Sequence, residues 1–116
     1  MAAGTLDFAI EQGATFSLIL TWRIDGTAVN LTGYTARLQA RVDVEDTEVV
    51  LSLTTDTGGG IALGGAAGTI TLTRSAAQTA AIAAGDYVYD LELAAGSGQV
   101  TRLVQGQLTV SPEVTR

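Results

Sequence analysis

A chain of 116 residues is long enough for one domain with a proper apolar core, without metals or disulfides to staple it. It holds 12 acids against 6 bases, all of them arginine, and no lysine, histidine or cysteine, for a net charge of −6. That balance excludes histidine-based triads, thiolate chemistry, lysine Schiff bases and Walker-type phosphate loops, and it argues against nucleic acid, which needs a basic patch.

The opening MAAGTLDFAI has no basic segment ahead of an apolar run and does not read as a secretory leader. No run approaches the ~20 apolar residues of a membrane helix. A soluble protein made in the cytoplasm, with no membrane partner, is expected. Thr5 to Ile10 reads as the first strand. From Phe16 to Trp22 the period is two, with Phe16, Leu18, Leu20 and Trp22 on one side and Ser17 and Thr21 on the other. Asp25-Gly26 is a hairpin signal, and Asn30 to Gly33 marks a corner.

A clean alternation follows, with Ala36, Leu38, Ala40 and Val42 inward and Thr35, Arg37, Gln39 and Arg41 outward. Asp43 to Glu48 is a polar reversal. Val49, Leu51 and Leu53 form the next apolar set, and Ile61 to Leu63 is a short strand between the glycine-rich bends 56–60 and 64–68. Ile70 and Leu72 alternate with threonines. Ser75 to Ala84 breaks the period: alanine favours helix, Ser75 can cap a first turn and Gly85 can end it, so a short helical turn pinned by Ile82 is expected near 75–84. Tyr87, Tyr89, Leu91 and Leu93 then face in, with Val88, Asp90 and Glu92 out. After the turn Gly96-Ser97-Gly98, Val104, Gly106, Leu108 and Val110 share a side against Gln105, Gln107 and Thr109.

The pattern predicts an all-β chain: a single immunoglobulin-like antiparallel β-sandwich over residues 1–116, with seven or eight strands. Tyr87 or Tyr89, just after the helical turn, is placed to make a tyrosine corner. With no cysteine pair, the domain is not of the antibody type.

Few residues offer chemistry. Asp90 and Glu92 share one strand face and have a spacing compatible with acid–base work on a glycosidic bond, but a shallow strand surface supplies no desolvation, so a solvated outer face is the expected reading. Asp43, Glu45, Asp46 and Glu48 could offer oxygens to calcium, yet they lack the EF-hand spacing and read as an acidic hairpin tip. Gly58-Gly59-Gly60 and Gly64-Gly65 read as flexible turns rather than phosphate cradles. Trp22 continues the inward set of its strand and reads as core rather than as a sugar-stacking platform. Arg37 and Arg41 share a solvated face. No cofactor, no metal and no catalysis are expected.

Gly85, Tyr87, the run Tyr89-Asp90-Leu91-Glu92-Leu93, Thr101-Arg102-Leu103, Gly106 and the closing Thr109-Val110-Ser111-Pro112-Glu113-Val114-Thr115-Arg116 resemble the last hairpin of an immunoglobulin-like family of tailed bacteriophages, related to the N-terminal domain of baseplate upper proteins. Leu31-Thr32-Gly33-Tyr34 resembles the motif that opens that family's third strand. The resemblance touches about the last two thirds of the chain. It implies a virion structural protein of the tail tip or baseplate, or a particle decoration protein, assembled in the bacterial host cytoplasm. Its partners would be other virion proteins, in a homo-oligomer or symmetric array. The family's domain often precedes receptor-binding parts, and this chain ends with the fold, which favours an adaptor role. The alternative is a carbohydrate-binding or host-adhesion module, with a small glycan hydrolase as a distant third. Residues 1–5 and Pro112, Glu113, Val114, Thr115 and Arg116 are the candidate docking arms.

Overall fold

The computed structural model describes residues 3–115. Its strands are β1 (Gly4–Thr5), β2 (Phe8–Glu11), β3 (Phe16–Thr21), β4 (Arg23–Ile24), β5 (Thr27–Ala28), β6 (Thr35–Arg41), β7 (Leu51–Thr54), β8 (Ile61–Leu63), β9 (Thr69–Arg74), β10 (Gly85–Ala94) and β11 (Val100–Ser111). Among the described residues one α-helix, α1, spans Ala76–Ala80, and a 3-10 turn spans Gly65–Ala67.

These strands form an immunoglobulin-like β-sandwich. One sheet runs β1-β11-β10-β6-β7, with β2 also on β11; the other runs β3-β9-β8; β4 and β5 make a separate hairpin. Counting β1 and β2 as one interrupted strand and setting the hairpin aside, the sandwich has eight principal strands, within the seven or eight expected from the alternation. Every pairing between named strands is antiparallel except those of β1 and β2, which lie parallel to β11.

The core follows from the period of two. Leu38 pairs with Leu91 on one side and Leu53 on the other, and all three are fully buried against Ile70 and Leu72 of the second sheet. Removing each such side chain from water contributes about 1.5–3 kcal/mol. Aromatic side chains link the sheets near β2: Phe8 stacks on Phe16 at 5.6 Å and meets Tyr89 edge-on at 4.8 Å.

Local chemistry explains the breaks. Asp25 and Gly26, with φ of 52° and 80°, close the β4–β5 hairpin through a two-residue turn. Ser75 caps α1 in a reciprocal capping box with Gln78. Tyr87 makes the tyrosine corner, its hydroxyl donating to the carbonyl of Ala83 at 2.6 Å.

The structure differs from the sequence reading at several points. The first strand is not continuous from Thr5 to Ile10: it breaks at Leu6 and Asp7, where the Asp7 carboxylate accepts the Gln107 N–H at 2.9 Å in place of a ladder carbonyl. Val42 lies past the end of β6 and is exposed. Gly85 does not end the helix; Ala81 does, and Gly85 opens β10. Ile82 is buried as expected, but α1 is also tied down by Thr79, whose buried hydroxyl accepts the Gly13 N–H and donates to the Ala14 carbonyl. The bend at 56–60 is clamped rather than loose, because Arg74 donates to the carbonyls of Ser52, Gly58 and Gly59.

Candidate functional site

The chemistry-bearing residues gather on the outer face of the larger sheet. Antiparallel register builds it in rungs: Arg41, Val88 and Gln107; Gln39, Asp90 and Gln105; Arg37, Glu92 and Arg102. The third rung needs a correction to the sequence pattern. Leu91 pairs with Val104 but Glu92 pairs with Arg102, so Leu103 is an extra residue, a β-bulge. Simple alternation from Val104 would turn Arg102 inward; the bulge turns it out beside the carboxylates.

The side chains cross-link the face. Arg37 Nε donates to Glu92 Oε1 at 2.7 Å, and Arg102 Nε lies 3.4 Å from Asp90 Oδ2. Arg41 donates to Gln39 Oε1 at 2.9 Å and to the Asp46 carbonyl at 2.7 Å, tying the acidic tip to the sheet. Together they line an open concavity of about 710 Å³ that includes Gln105, Gln107 and the exposed Val44. It holds three of the six arginines and two of the twelve acids, on a molecule whose net charge is −6.

Asp90 and Glu92 are thus brought together, as their spacing implied, but each is an ion-pair partner on an open face. Arg37 and Arg41 do share that face. The acids Asp43, Glu45, Asp46 and Glu48 lie exposed at the tip between β6 and β7, and among the described residues no cluster of three or more His, Cys, Asp or Glu is placed to hold a metal ion.

A second concavity, about 750 Å³, lies at the pole where the β4–β5 hairpin meets the β10–β11 turn. Trp22 and Tyr34, edge-on at 6.1 Å, line it with Ile24, Val100, Gln99 and Arg102. Trp22 therefore packs against the core, as read, and also borders a hollow.

Tyr89, read as a core residue, has a further role. Its hydroxyl donates to the Leu6 carbonyl at the break between β1 and β2. Burial, reinforced by the negative charge of Asp7, pushes its phenol up to about 12.

The candidate docking arms divide. Glu113 folds back, its N–H donating to Gln12 Oε1 at 3.1 Å, while Val114 is 93% exposed and Pro112 and Thr115 are exposed. Gly4 and Thr5 pair with Val104 and Gln105 of the same chain. Met1, Ala2 and Arg116 lie outside the described residues.

No protein-family model matches the sequence, and no curated protein matches it significantly. Among solved structures, CopC from Methylosinus trichosporium OB3b is similar at a TM-score of 0.46 and 14% identity, over 100% of this chain and 90% of that one. No helix among the described residues is long and apolar enough to cross a membrane.

Proposed function

We propose that the chain is a non-catalytic structural module of a tailed-bacteriophage virion, an adaptor of the tail tip or baseplate or a decoration of the particle. The virion assignment rests on the resemblance of Gly85 to Arg116 and Leu31 to Tyr34 to the phage family. The observation that carries a docking role is the outer face of the larger sheet. There Arg37, Arg41 and Arg102, with Gln39, Gln105 and Gln107, present fixed donors, and three arginines against two carboxylates line the concavity on an acidic molecule, with the acidic tip at its border. Such a face suits the acidic surface of a neighbouring subunit. Its carboxylates are engaged by arginines, which leaves this face to binding rather than acid–base work. Mass spectrometry of purified particles tests the reading: the protein should appear at a fixed copy number relative to the other virion proteins. Charge reversal at Arg37 and Arg102 should deplete it from particles while it still folds. A protein absent from particles sinks the proposal.

A second reading, a carbohydrate-binding or host-adhesion module, is favoured by one feature, the Trp22–Tyr34 hollow with Gln99 and Arg102 at its rim. Aromatic faces beside amide and guanidinium donors are the chemistry that holds sugars. Glycan-array binding that Trp22→Ala abolishes would establish it in place of the first.

A further inference from the structure

Among the described residues, four strand edges bound the two sheets of the sandwich, and three are blunted. The edge made by β1 and β2 carries Asp7 and Glu11 and is broken at Leu6. At the other end of that sheet, β7 has 4 residues and follows the acidic tip. In the smaller sheet, β8 has 3 residues. Charge, interruption and short length are the devices that stop edge-to-edge pairing. The fourth edge, β3, has none of them: its 6 residues, FSLILT, include no charge, glycine or proline.

Two observations mark this edge as incomplete. The inward residues Phe16, Leu18 and Leu20 are only half-buried, whereas the inward residues of β10 are all buried. On the outward side Ile19, at the centre of the strand, is 63% exposed. Among the described residues β9 is the only strand paired with β3. The Trp22 N–H donates to the Gly68 carbonyl at 2.9 Å, continuing the β3–β9 ladder. Antiparallel alternation then turns the N–H and C=O groups of Ser17, Ile19 and Thr21 away from β9.

We infer that β3 pairs with β3 of a second copy of this chain, antiparallel about a two-fold axis at Ile19, joining the two smaller sheets into one. The outward-turned backbone groups restrict the pairing to registers that set Ser17, Ile19 and Thr21 opposite one another, and the greatest overlap of the two strands centres it on Ile19. Ile19 stands opposite the partner's Ile19, and Ser17 opposite the partner's Thr21, each pair exchanging both backbone hydrogen bonds. On the inward side Leu18 then stands opposite the partner's Leu20, and Phe16 opposite the partner's Trp22. Apolar meets apolar and hydroxyl meets hydroxyl along the strand. Two copies of net charge −6 repel over most of their surface, but Ser17, Ile19 and Thr21, with Thr69, Thr71 and Thr73 paired beside them, form a neutral approach. The inference goes beyond the virion reading and holds or fails independently of it.

Sedimentation of the purified chain from micromolar concentrations to ~0.5 mM, where an interface below the standard size still associates, should show a monomer–dimer equilibrium. Ile19→Lys, at an exposed position, should weaken the dimer roughly tenfold or more with the melting temperature retained. Ile19→Cys introduces the sole thiol, and a hydrogen-bonded pair about 5.5 Å apart lies within disulfide reach. It should oxidise to a covalent dimer much faster than Ser97→Cys at the exposed β10–β11 turn. A chain that stays monomeric throughout the range, a dimer indifferent to Ile19→Lys, or equal cross-linking at positions 19 and 97 overturns the inference. Presence in the particle is decided separately by mass spectrometry, so the two readings fail by different results.

Discussion

Arg102 stands across from Glu92 while Val104 stands across from Leu91, so one residue of β11, Leu103, has no partner in the ladder. This bulge lets an arginine join the ion-paired face without interrupting the apolar run that continues through Leu108 and Val110. Arg102 is 54% exposed on its side chain, and an exposed ion pair is worth about 0.2–1 kcal/mol. Arg102→Ala should therefore shift the urea midpoint only slightly. The same substitution should reduce incorporation into particles. A large loss of stability would mean that Arg102 serves the fold rather than docking.

Tyr89 gives the alkaline limb of the stability curve a defined shape. Its phenol is raised from 10.0 to about 12 in the folded chain, by burial first and by Asp7 second. Between those values the native state keeps the proton and the unfolded chain loses it. The unfolded state then binds fewer protons, so stability falls as pH rises through this window. Below pH 10 the contribution is fully present. Tyr89→Phe should flatten this part of the difference curve, and should cost about 1 kcal/mol at neutral pH through loss of the bond to Leu6. Denaturant titrations of both proteins from pH 8 upward supply the comparison. Parallel curves would assign the alkaline sensitivity to other groups.

Gly106 should tolerate no side chain. It pairs with Tyr89, and a Cβ built there falls 2.6 Å from Asp7 Oδ1 and closer still to the Leu6 carbonyl oxygen. Both groups belong to the break between β1 and β2, so the backbone of that break passes directly over the glycine. Gly106→Ala should destabilise by about 1–3 kcal/mol through overpacking. At that size the melting temperature drops by roughly 4 °C or more per kcal/mol. An unchanged melting temperature would show that the N-terminal edge moves aside at little cost.

The alternating strands were legible because a half-buried strand writes its orientation directly into hydrophobicity. Leu38, Leu53, Leu91 and Leu93 sit where the period of two placed them. The exceptions arise where backbone groups find partners outside the ladder. A bulge shifts parity without altering composition, and its one trace is an arginine, Arg102, at a position where alternation expects an apolar residue. The break at Leu6 depends on Asp7 accepting a backbone N–H from a residue 100 positions away, which no local pattern carries. Arg74 follows the inward parity of Ile70 and Leu72, and its guanidinium closes the 56–60 bend, so here an arginine at an inward position marks a structural role. On the outer face, the spacing of Asp90 and Glu92 placed both carboxylates on one side, but their arginine partners come from β6 and β11, so only the register between strands brings them together.

Thr79 and Ser75 both hold α1, and their substitution separates the helix from its docking. Ser75 caps the first turn at an exposed position, accepting the Gln78 N–H at 3.2 Å, and Ser75→Ala should cost about 1 kcal/mol. Thr79 is fully buried. Its hydroxyl accepts the Gly13 N–H at 3.0 Å and donates to the Ala14 carbonyl at 2.8 Å, joining the helix to the turn that leads into β3. Thr79→Val keeps the shape but strands the Gly13 N–H, and an unsatisfied half-buried donor costs about 1–3 kcal/mol. The 13–14 turn should also exchange its amide hydrogens faster in Thr79→Val than in Ser75→Ala. If Thr79→Val loses no stability and its 13–14 turn exchanges no faster than in the unsubstituted chain, α1 is held by its cap and by Ile82, and the Thr79 hydroxyl adds nothing to the anchoring of β3.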